Sequence, residues 1–508
     1  MKILRKYINL LLVPVLAVSC NALDLAPVDT WSINNYWNTE EQCSRFMQGL
    51  QFRMRERAET FLQMGELRGG TLSTASVTSI GEGAYNIEAV ANNLSEANPV
   101  FTNWGNFYMD IYQINHAIDK ISDECPFLSE DTRNSYLARL YGMRAFYYFY
   151  MLRTWGGVPL CDEPDVLMTS IIAELRKERA TERQIWEFVR DDADRSFDLY
   201  SSLAAPETDK QYWNFGATCC LRAEVNLWGV KVRPLKETEV FSSDIAGDLD
   251  KAEKSLQAIS GSYSLNGSFA NAFSPYDKDS NPEVIFAMRY RLNEKTNFYS
   301  NWTYNVSTFT QYCDEDGTAL NNPLNIASGA LRYEYSEDFY NSIAGNDTRK
   351  DATLLQFYRN GGDGITVAGR CLCKFIGEEN NGRNQFTNDF PVYRYSDVAL
   401  MLAEINNEQG EAGQVETWMN LVRDRAYGAG VNPFTYSDYE SAEEAILQER
   451  AVEFVAEGKR WFDVRRMSGG RHALDLVDGN ELKLVWPIDA GVLSKDNLVK
   501  QNEGYLTE

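Results

Sequence analysis

The stretch Ser129–Leu160, "SEDTRNSYLARLYGMRAFYYFYMLRTWGGVPL", decides the fold class because it predicts one long, buried helix. Its apolar and aromatic residues recur on more than one helical face, and a helix of that kind is enclosed by neighbouring elements. Ser129 or Asp131 is expected to cap its start. Gly142 and Ala145 would let a second helix approach closely, and the "GGVP" near its end predicts where it stops.

Helical patterns recur on both sides of this stretch. Isoleucines between residues 111 and 121 stand three or four positions apart and form one apolar stripe. Small residues such as Ala217, Ala223 and Ala403 stand where paired helices would cross. The chain is therefore predicted to be mainly α, with a helical-repeat scaffold whose irregular period does not identify the repeat type. Further helices are predicted in 39–64, 183–200, 213–229, 393–410, 415–428 and 441–467.

Two segments interrupt the helical pattern. Residues 66–98 are rich in Gly, Ser, Thr and Asn and predict an irregular surface excursion. Between residues 265 and 390, short apolar runs such as "EVIFAMRY" and "RCLCKFIG" alternate with loop residues and predict a few short strands. We expect a scaffold in 38–264, a C-terminal helical part in 391–508 that packs on it, and a loop-rich insertion in 265–390 that contributes to ligand binding.

The N-terminus reads as an export signal. Three basic residues precede a short apolar run that ends in small residues, which predicts a signal peptide over residues 1–19. The run is shorter than the roughly 20 residues that a spanning helix needs. Cys20 then stands as in a bacterial lipoprotein box, although Leu16 lies one place earlier than usual. We expect an acylated Cys20 and a lipidated tether over 20–37; an ordinary secretory signal with an incidental cysteine is the alternative.

Composition excludes several classes of function. The net charge of −24 argues against nucleic acid as a partner, because such binding depends on Lys and Arg contacts to phosphate. Two histidines give little material for a metal site or for histidine-centred catalysis. Eight cysteines remain beside Cys20, and export is compatible with disulfides. Cys371 and Cys373 would share one strand face without two further ligands, so buried thiols are expected rather than zinc. No metal or cofactor is predicted.

The segment "ERAVEFVAEGKRWFDVRR" invites a catalytic interpretation. Glu449, Glu453 and Glu457 stand four residues apart, which would place them on one helical face beside several arginines. Glycoside hydrolysis needs two carboxylates on opposite sides of a substrate, and one helical face does not offer that arrangement. We therefore expect these acids to pair with the arginines, and we predict no catalytic residues.

Two acidic segments resemble cation sites only in part. The segment from Asp277 begins like a calcium loop, but Pro282 occupies the position of the required glycine and Met288 that of the final glutamate. It is therefore not an EF-hand. Asp314 and Asp316 could offer oxygen ligands, and a solvated acidic turn is the interpretation that we favour there.

Five segments in this order resemble the SusD/RagB family of Bacteroidetes lipoproteins. They are Cys20 with "LDLAPVDTWS", "AFYYFYMLRTWGGVPL", "NPEVIFAMRY", "VYRYSDVALMLAE" and "ILQERAVEFVAEGKRWFDVRRM". The resemblance covers essentially the whole chain. It implies a tetratricopeptide-like helical fold with an irregular binding region. It also implies a noncatalytic lipoprotein of the outer membrane, exposed at the cell surface, that captures glycans and lies as a lid on a TonB-dependent transporter.

The chain departs from the family in one feature related to surface exposure. Surface-exposed members often carry acidic residues after the lipidated cysteine, and here only Asp24 lies close.

The resemblance leaves the cargo open. Peptide capture is the alternative cargo, because the family includes members of peptide-uptake systems. A surface glycoside hydrolase is the alternative from another functional class.

A glycan-binding surface requires exposed aromatic rings, which stack on the apolar face of a sugar. The loops supply Tyr85, Trp104, Asn106, Trp302 and Tyr304 as predicted ligand-binding residues, with Asn103, Tyr299 and Tyr312 nearby in sequence. Polar neighbours in "TNWGN" and "SNWTY" favour a shallow platform formed by both tryptophans. Trp155 and Trp461 are expected to pack in the core instead.

Overall fold

A computed structural model describes residues 36–74, 85–101, 104–164 and 175–506 of the chain. The predictions for the signal peptide, for nearly all of the tether, for Cys20 and for Asn103 lie outside the described residues. Among the described helices, none is both long and apolar enough to cross a membrane.

Side-chain caps set the ends of the N-terminal helices. Thr39 and Gln42 form a capping box at the start of α1. Ser129 caps α5, as predicted, by accepting a hydrogen bond from the backbone N–H of Thr132 at 3.1 Å. The helix ends at Gly156, whose φ of 75° suits glycine. These helices are α1 (Glu40–Glu56), α2 (Ala58–Glu66), α3 (Ile87–Val90), α4 (Gly105–Asp123), α5 (Glu130–Trp155), α6 (Glu182–Ser201), α7 (Phe215–Lys231) and α8 (Ile245–Gln257).

Helix α5 lies at the centre of this helical part. From Ala138 to Trp155 nearly every side chain is buried, and α5 packs against α4, α6 and α7. Gly142 permits one of these approaches, since a Cβ atom there would lie 2.1 Å from the indole nitrogen of Trp213. The predicted buried helix is confirmed, and the close approach involves a tryptophan that precedes α7.

Short strands appear in and beside the predicted loop-rich segment. They form three antiparallel pairs, β1 with β6, β2 with β3, and β4 with β5. In the first pair Val284 stands opposite Arg394, which brings Glu283 and Arg394 together. The elements are β1 (Val284–Met288), α9 (Glu337–Ser342), α10 (Thr348–Thr353), β2 (Leu354–Gly361), β3 (Gly364–Leu372), β4 (Glu378–Asn380), β5 (Arg383–Gln385) and β6 (Phe390–Arg394).

The C-terminal helices pack against one another and against α7 and α8. Helix α11 contacts α12 and α13, and it ends at Gly410 with a φ of 77°. The remaining elements are α11 (Tyr395–Gln409), α12 (Ala412–Tyr427), α13 (Tyr439–Glu453), α14 (Arg460–Arg466), α15 (Arg471–Leu476) and α16 (Ala490–Lys495). The architecture is mainly α with a few short strands, as predicted.

One predicted helix is divided. Periodicity predicted continuous helix over residues 441–467, but α13 ends at Glu453 and α14 begins only at Arg460. Between them Gly458 has a φ of 72°. Glu457 therefore does not continue the helical face of Glu449 and Glu453, and that part of the prediction is wrong.

Candidate functional site

Among the described residues, an exposed tyrosine and five partly buried polar residues form one connected surface. Tyr85 is 53% exposed, and the guanidinium carbon of Arg332 lies 4.8 Å from its ring centroid. The backbone N–H of Tyr85 donates to the carbonyl of Arg332 at 3.2 Å. We name this the Tyr85 surface; it consists of Glu59, Gln63, Tyr85, Asn86, Asn301 and Arg332.

Hydrogen bonds position the polar members of the Tyr85 surface. Asn86 and Gln63 both donate to the hydroxyl of Tyr333, at 2.9 Å and 3.2 Å. The side-chain amide of Asn301 donates to Glu59 at 3.3 Å, and the backbone N–H of Arg332 donates to the carbonyl of Asn301 at 2.8 Å. One chain of contacts thus connects α2, the start of α3 and the loop that carries Arg332.

The surface offers both kinds of contact that a sugar uses. The ring of Tyr85 presents an apolar face, while amides and a carboxylate can select hydroxyl positions. Burial raises the pKa of the Glu59 carboxyl, and the hydrogen bond from Asn301 partly offsets that effect.

Trp302 lies in the layer beneath this surface. It is 1% exposed, and its ring stacks on Tyr333 with the centroids 4.5 Å apart. Because the Tyr333 hydroxyl accepts hydrogen bonds from Asn86 and Gln63, Trp302 supports the residues that hold the surface. Its expected place in an exposed platform is therefore wrong.

Trp104 is also buried, in a different part of the fold. It is 7% exposed and precedes α4, where its ring contacts Trp155 at 5.6 Å and Tyr108 at 5.6 Å. Asn106 is half-buried in the first turn of α4. The expected exposure of Trp104 is wrong, because the start of α4 packs its indole onto the end of α5. The two tryptophans that were predicted to share one platform thus pack on different rings, Trp104 on Trp155 and Trp302 on Tyr333.

The other predicted aromatics are buried as well. Tyr304 stacks on Phe309 with centroids 3.8 Å apart, and its hydroxyl donates to Asn322 at 2.6 Å. Tyr299 and Tyr312 are buried too. Of the aromatic residues predicted to bind ligand, Tyr85 alone is exposed. Trp155 and Trp461 are buried, as predicted.

The acidic residues of the C-terminal motif are enclosed with cations. Arg394 contacts Glu283 at 2.7 Å, Glu453 at 2.5 Å and Glu457 at 2.9 Å. Arg349 contacts Glu453 at 3.0 Å and also Glu449 at 2.6 Å. We name this the Arg394 cluster; its members are Glu283, Arg349, Lys374, Arg394, Arg425, Glu453 and Glu457.

Charge neutralisation and burial make the Arg394 cluster structural. Burial opposes ionisation of Glu453, but Arg425, Arg394 and Arg349 outweigh it and hold the pKa of Glu453 well below its usual range. Burial likewise opposes ionisation of Glu457, and Arg394 and Lys374 lower its pKa. All three carboxylates of the cluster are buried, so a glycan has no path between them. The acids do pair with arginines, as predicted, but those arginines come from distant segments, Arg349 and Arg394 among them. The expected pairing with the arginines of the motif itself is wrong, since Arg450 pairs with Asp463 instead.

The remaining acidic and cysteine candidates offer no assembled site. The Asp314 carboxylate accepts hydrogen bonds from the backbone N–H groups of Asp316 and Thr318, which closes an exposed turn. Cys371 is buried and Cys373 is partly buried. Within the described ranges, no group of three His, Cys, Asp or Glu side chains is placed to hold a metal ion.

A concave region lies where α5 ends. This cavity measures about 490 Å³ and is lined by Trp155, Arg179 and Glu182, among others. Arg179 holds its wall by donating to the carbonyls of Gly157 at 2.6 Å and Trp155 at 2.9 Å. Of the described residues that line it, only Trp155 is aromatic, and its side chain is buried. The cavity therefore lacks the exposed ring that the Tyr85 surface offers.

Two family models match this chain. One, the SusD family, matches residues 364–505, and the other, described as starch-binding and associating with the outer membrane, matches residues 50–210. A solved SusD superfamily protein from Bacteroides fragilis is 31% identical, with a TM-score of 0.83 over 93% of this chain and 100% of that one. The chain belongs to the SusD/RagB family, and its helical scaffold is the tetratricopeptide-like fold of that family.

More distant proteins agree with this assignment. A SusD-like protein of Formosa agariphila is 23% identical over 454 residues, which covers 82% of each chain. The solved surface glycan-binding protein A from Bacteroides uniformis is 19% identical, with a TM-score of 0.69 over 91% of this chain and 99% of that one. At that identity the likeness shows the shared fold.

Proposed function

We propose that this protein binds glycans without cleaving them and delivers them to a TonB-dependent transporter of the outer membrane. The observation that carries the proposal is the Tyr85 surface, where an exposed ring is held beside amide and carboxylate groups. Membership of the SusD/RagB family supports it, as does the starch-binding description of the family model that matches residues 50–210.

Capture would begin with stacking on Tyr85. The C–H face of a sugar ring would lie against the ring of Tyr85. The guanidinium of Arg332, which contacts the Tyr85 ring, would hold that ring in place. Hydroxyl groups of the sugar then exchange hydrogen bonds with Asn301, Glu59 and Gln63. Because each contact is weak and partly solvated, binding is reversible, as delivery to a transporter requires.

Anchoring at the membrane completes the proposal. Acyl chains on Cys20 would hold the folded chain at the outer membrane with the Tyr85 surface facing outward. A TonB-dependent transporter is the partner that would receive the cargo. The description of one matching family model as associating with the outer membrane supports this location.

Two alternatives differ from this proposal in cargo or chemistry. A peptide could also stack on Tyr85 and use the same amides, so peptide capture is the second candidate cargo. A surface glycoside hydrolase is disfavoured, since the Glu449–Glu457 carboxylates are buried and paired with arginines.

A binding screen separates glycan from peptide. The soluble form that lacks residues 1–20 is applied to glycan and peptide arrays, and hits are quantified by calorimetry. Stacking contributes on the order of 1 kcal/mol, so Tyr85→Ala should weaken binding of the identified cargo roughly tenfold. The matched control is Tyr276→Ala, because Tyr276 is 68% exposed and lies outside the Tyr85 surface. Equal affinity of both variants for a glycan would show that the glycan does not bind at the Tyr85 surface. Binding to peptides alone would show that the cargo is a peptide and not a glycan.

A second assay addresses catalysis. The purified protein is incubated with any glycan that it binds, and the chain-length distribution is followed by chromatography. An unchanged distribution is expected. Turnover that a single Asp or Glu substitution abolishes would establish a hydrolase instead.

A further inference from the structure

Two buried cysteines from distant parts of the chain meet in the N-terminal half. Cys43 lies on α1, and Cys125 directly follows the C-cap residue of α4, Glu124. Their Sγ atoms are 3.7 Å apart, although the residues are 82 positions apart in sequence. Both side chains are fully buried.

The surroundings fix both cysteines in place. Helix α1 packs along α4. Nearby, the indole N–H of Trp37 donates to Nε2 of His116, which lies on α4, at 3.2 Å. The Cys125 carbonyl accepts a hydrogen bond from Arg133 at 2.8 Å. Both backbones are therefore held, and a disulfide requires the two sulfurs to approach from 3.7 Å to about 2.05 Å.

We propose that Cys43 and Cys125 form a disulfide in the mature protein and that this bond fastens α1 to the end of α4. The inference rests on the export that the proposed function includes, because disulfides persist in oxidising compartments. A protein disulfide of a periplasmic thiol oxidase is the oxidant. One cysteine thiolate attacks that disulfide, which forms a mixed disulfide and releases the oxidant's first thiolate. The second cysteine thiolate then attacks the cysteine sulfur of the mixed disulfide and releases the oxidant's other thiolate, so the two protons lost by the cysteines leave the oxidant as a dithiol.

Three other described thiols make hydrogen bonds to groups that are not thiols. Cys161 accepts a hydrogen bond from the hydroxyl of Tyr112 at 3.5 Å. The thiol of Cys313 donates to the carbonyl of Tyr358 at 3.5 Å, and that of Cys373 donates to the carbonyl of Asp351 at 3.3 Å. Cys313→Ala is therefore the matched control for removal of a buried thiol.

Burial would slow formation of the bond in a molecule that has already folded. Burial, followed by the neighbouring Cys125, raises the pKa of Cys43 to about 12, and burial raises the pKa of Cys125 as well. A thiol must ionise before it exchanges, so a folded molecule that lacks the bond would acquire it slowly. The bond is expected to form while the chain folds.

The cross-link would strengthen the part of the fold next to the membrane tether. Helix α1 begins at Glu40, so it follows the segment that leads from Cys20. A load on the tether reaches α1 before any other described helix. A bond from α1 to the end of α4 transfers that load to the interior of the helical scaffold.

For the test, the Cys20→Ala variant is exported to the periplasm of a bacterial host by a cleavable signal peptide. The compartment is then known to be oxidising. Thiols are alkylated under denaturing, nonreducing conditions, and the digest is examined by mass spectrometry. A linked pair of peptides that contain Cys43 and Cys125, both unalkylated, is expected, and it should disappear after reduction. Complete alkylation of both cysteines in this periplasmic material would overturn the proposal.

Stability gives an independent readout. Cys43→Ala with Cys125→Ala should lower Tm by roughly 5 °C, because the bond closes a long loop. Reductant should lower the Tm of the parent chain and of Cys313→Ala, and leave the double variant unchanged. Equal effects of reductant on all three would also overturn the proposal. Failure of the disulfide proposal can be told apart from failure of the proposed function. The disulfide is detected without any ligand, whereas the location of the native protein is determined separately by fractionation.

Discussion

The guanidinium of Arg394 contacts both the side chain and the backbone of Glu453, 59 residues later in the chain. Its Nη1 atom lies 2.5 Å from Oε1 of Glu453, and Nη2 donates to the Glu453 carbonyl at 2.6 Å. Arg394 ends β6 and Glu453 ends α13. One side chain therefore joins the short β1–β6 sheet to the C-terminal helices.

Replacement of Arg394 should destabilise the fold strongly. Arg394→Met leaves buried carboxylates without their main partner, which costs about 3–5 kcal/mol of unfolding free energy. Urea denaturation measures the change. The control is Arg45→Met, since Arg45 pairs with Glu41 at the surface and such a pair contributes less than about 1 kcal/mol. Similar losses in the two variants would contradict a special role for the buried pair.

Acid should weaken the fold through Glu404. Burial opposes ionisation of this carboxyl, but Arg466 and Lys231 outweigh it and lower its pKa to about 2. A depressed folded pKa stabilises the protein above the unfolded value of about 4.5, and that contribution is lost as pH falls from about 4.5 towards about 2. The contribution is on the order of 3 kcal/mol.

Glu404→Gln lacks this titration. The stability advantage of the wild-type protein over Glu404→Gln should therefore narrow as the pH falls below about 4.5. Urea denaturation of both proteins between about pH 3 and pH 7 provides the comparison. An advantage that stays constant across this range would show that Glu404 does not contribute.

Trp302→Ala should act on stability first. The ring is buried and stacked on Tyr333, so its removal should cost about 3–5 kcal/mol, as for large core deletions. Trp461→Ala, at another buried tryptophan, should cost a similar amount. Thermal melts measure both.

Trp302→Ala should also weaken cargo binding, because the Tyr85 surface rests on Tyr333. Trp461→Ala should leave the affinity of the remaining folded protein unchanged. A stable Trp302→Ala variant would argue against its buried position.

Gly142→Ala tests the close packing of α5. The new Cβ atom would lie 2.1 Å from the indole nitrogen of Trp213, so the variant should lose about 1–3 kcal/mol. Gly49→Ala is the matched control on α1, where no heavy atom lies within 4 Å of the added carbon. That variant should gain about 0.5–1 kcal/mol from improved helix propensity. Chemical denaturation of both should give changes of opposite sign; losses in both would contradict the packing argument.

Cys20→Ala tests the membrane anchor. Without the acylated cysteine the protein should move from the membrane fraction to the soluble fraction. Membrane fractionation and mass spectrometry of the wild-type N-terminus measure this. A wild-type N-terminus without acyl chains would exclude lipidation at Cys20.

Local sequence predicted the helical elements well where local chemistry determines them. The cap at Ser129 and the end of α5 at Gly156 both depend on neighbouring residues, and both are as predicted. The break after Glu453 depends on a distant element. A Cβ atom on Gly65 of α2 would lie 1.7 Å from the carbonyl oxygen of Gly458, so α2 packs directly on the break. No local pattern encodes that contact.

The candidate site was predicted only in part. Tyr85 is exposed, as expected. Trp302 is buried, although its polar neighbours in sequence predicted that it would be exposed. In the short 3-10 helix Tyr299–Trp302, adjacent side chains point in different directions: Asn301 bonds to Glu59 at the surface, while Trp302 packs inward on Tyr333. Arg332 and Glu59 join Tyr85 through tertiary contacts, and neither has a sequence motif that marks it.

The Arg394 cluster also determines how the chain can mature. Its members extend from Glu283 to Glu457, so the cluster is complete only after nearly the whole chain has emerged from synthesis and export. A product truncated before Glu453 would retain Arg349 and Arg394 without the carboxylate that they share. Burial of those guanidiniums would then cost several kcal/mol each, so the fragment would stay open to proteases. The cluster thereby makes completeness of the chain a condition for its survival.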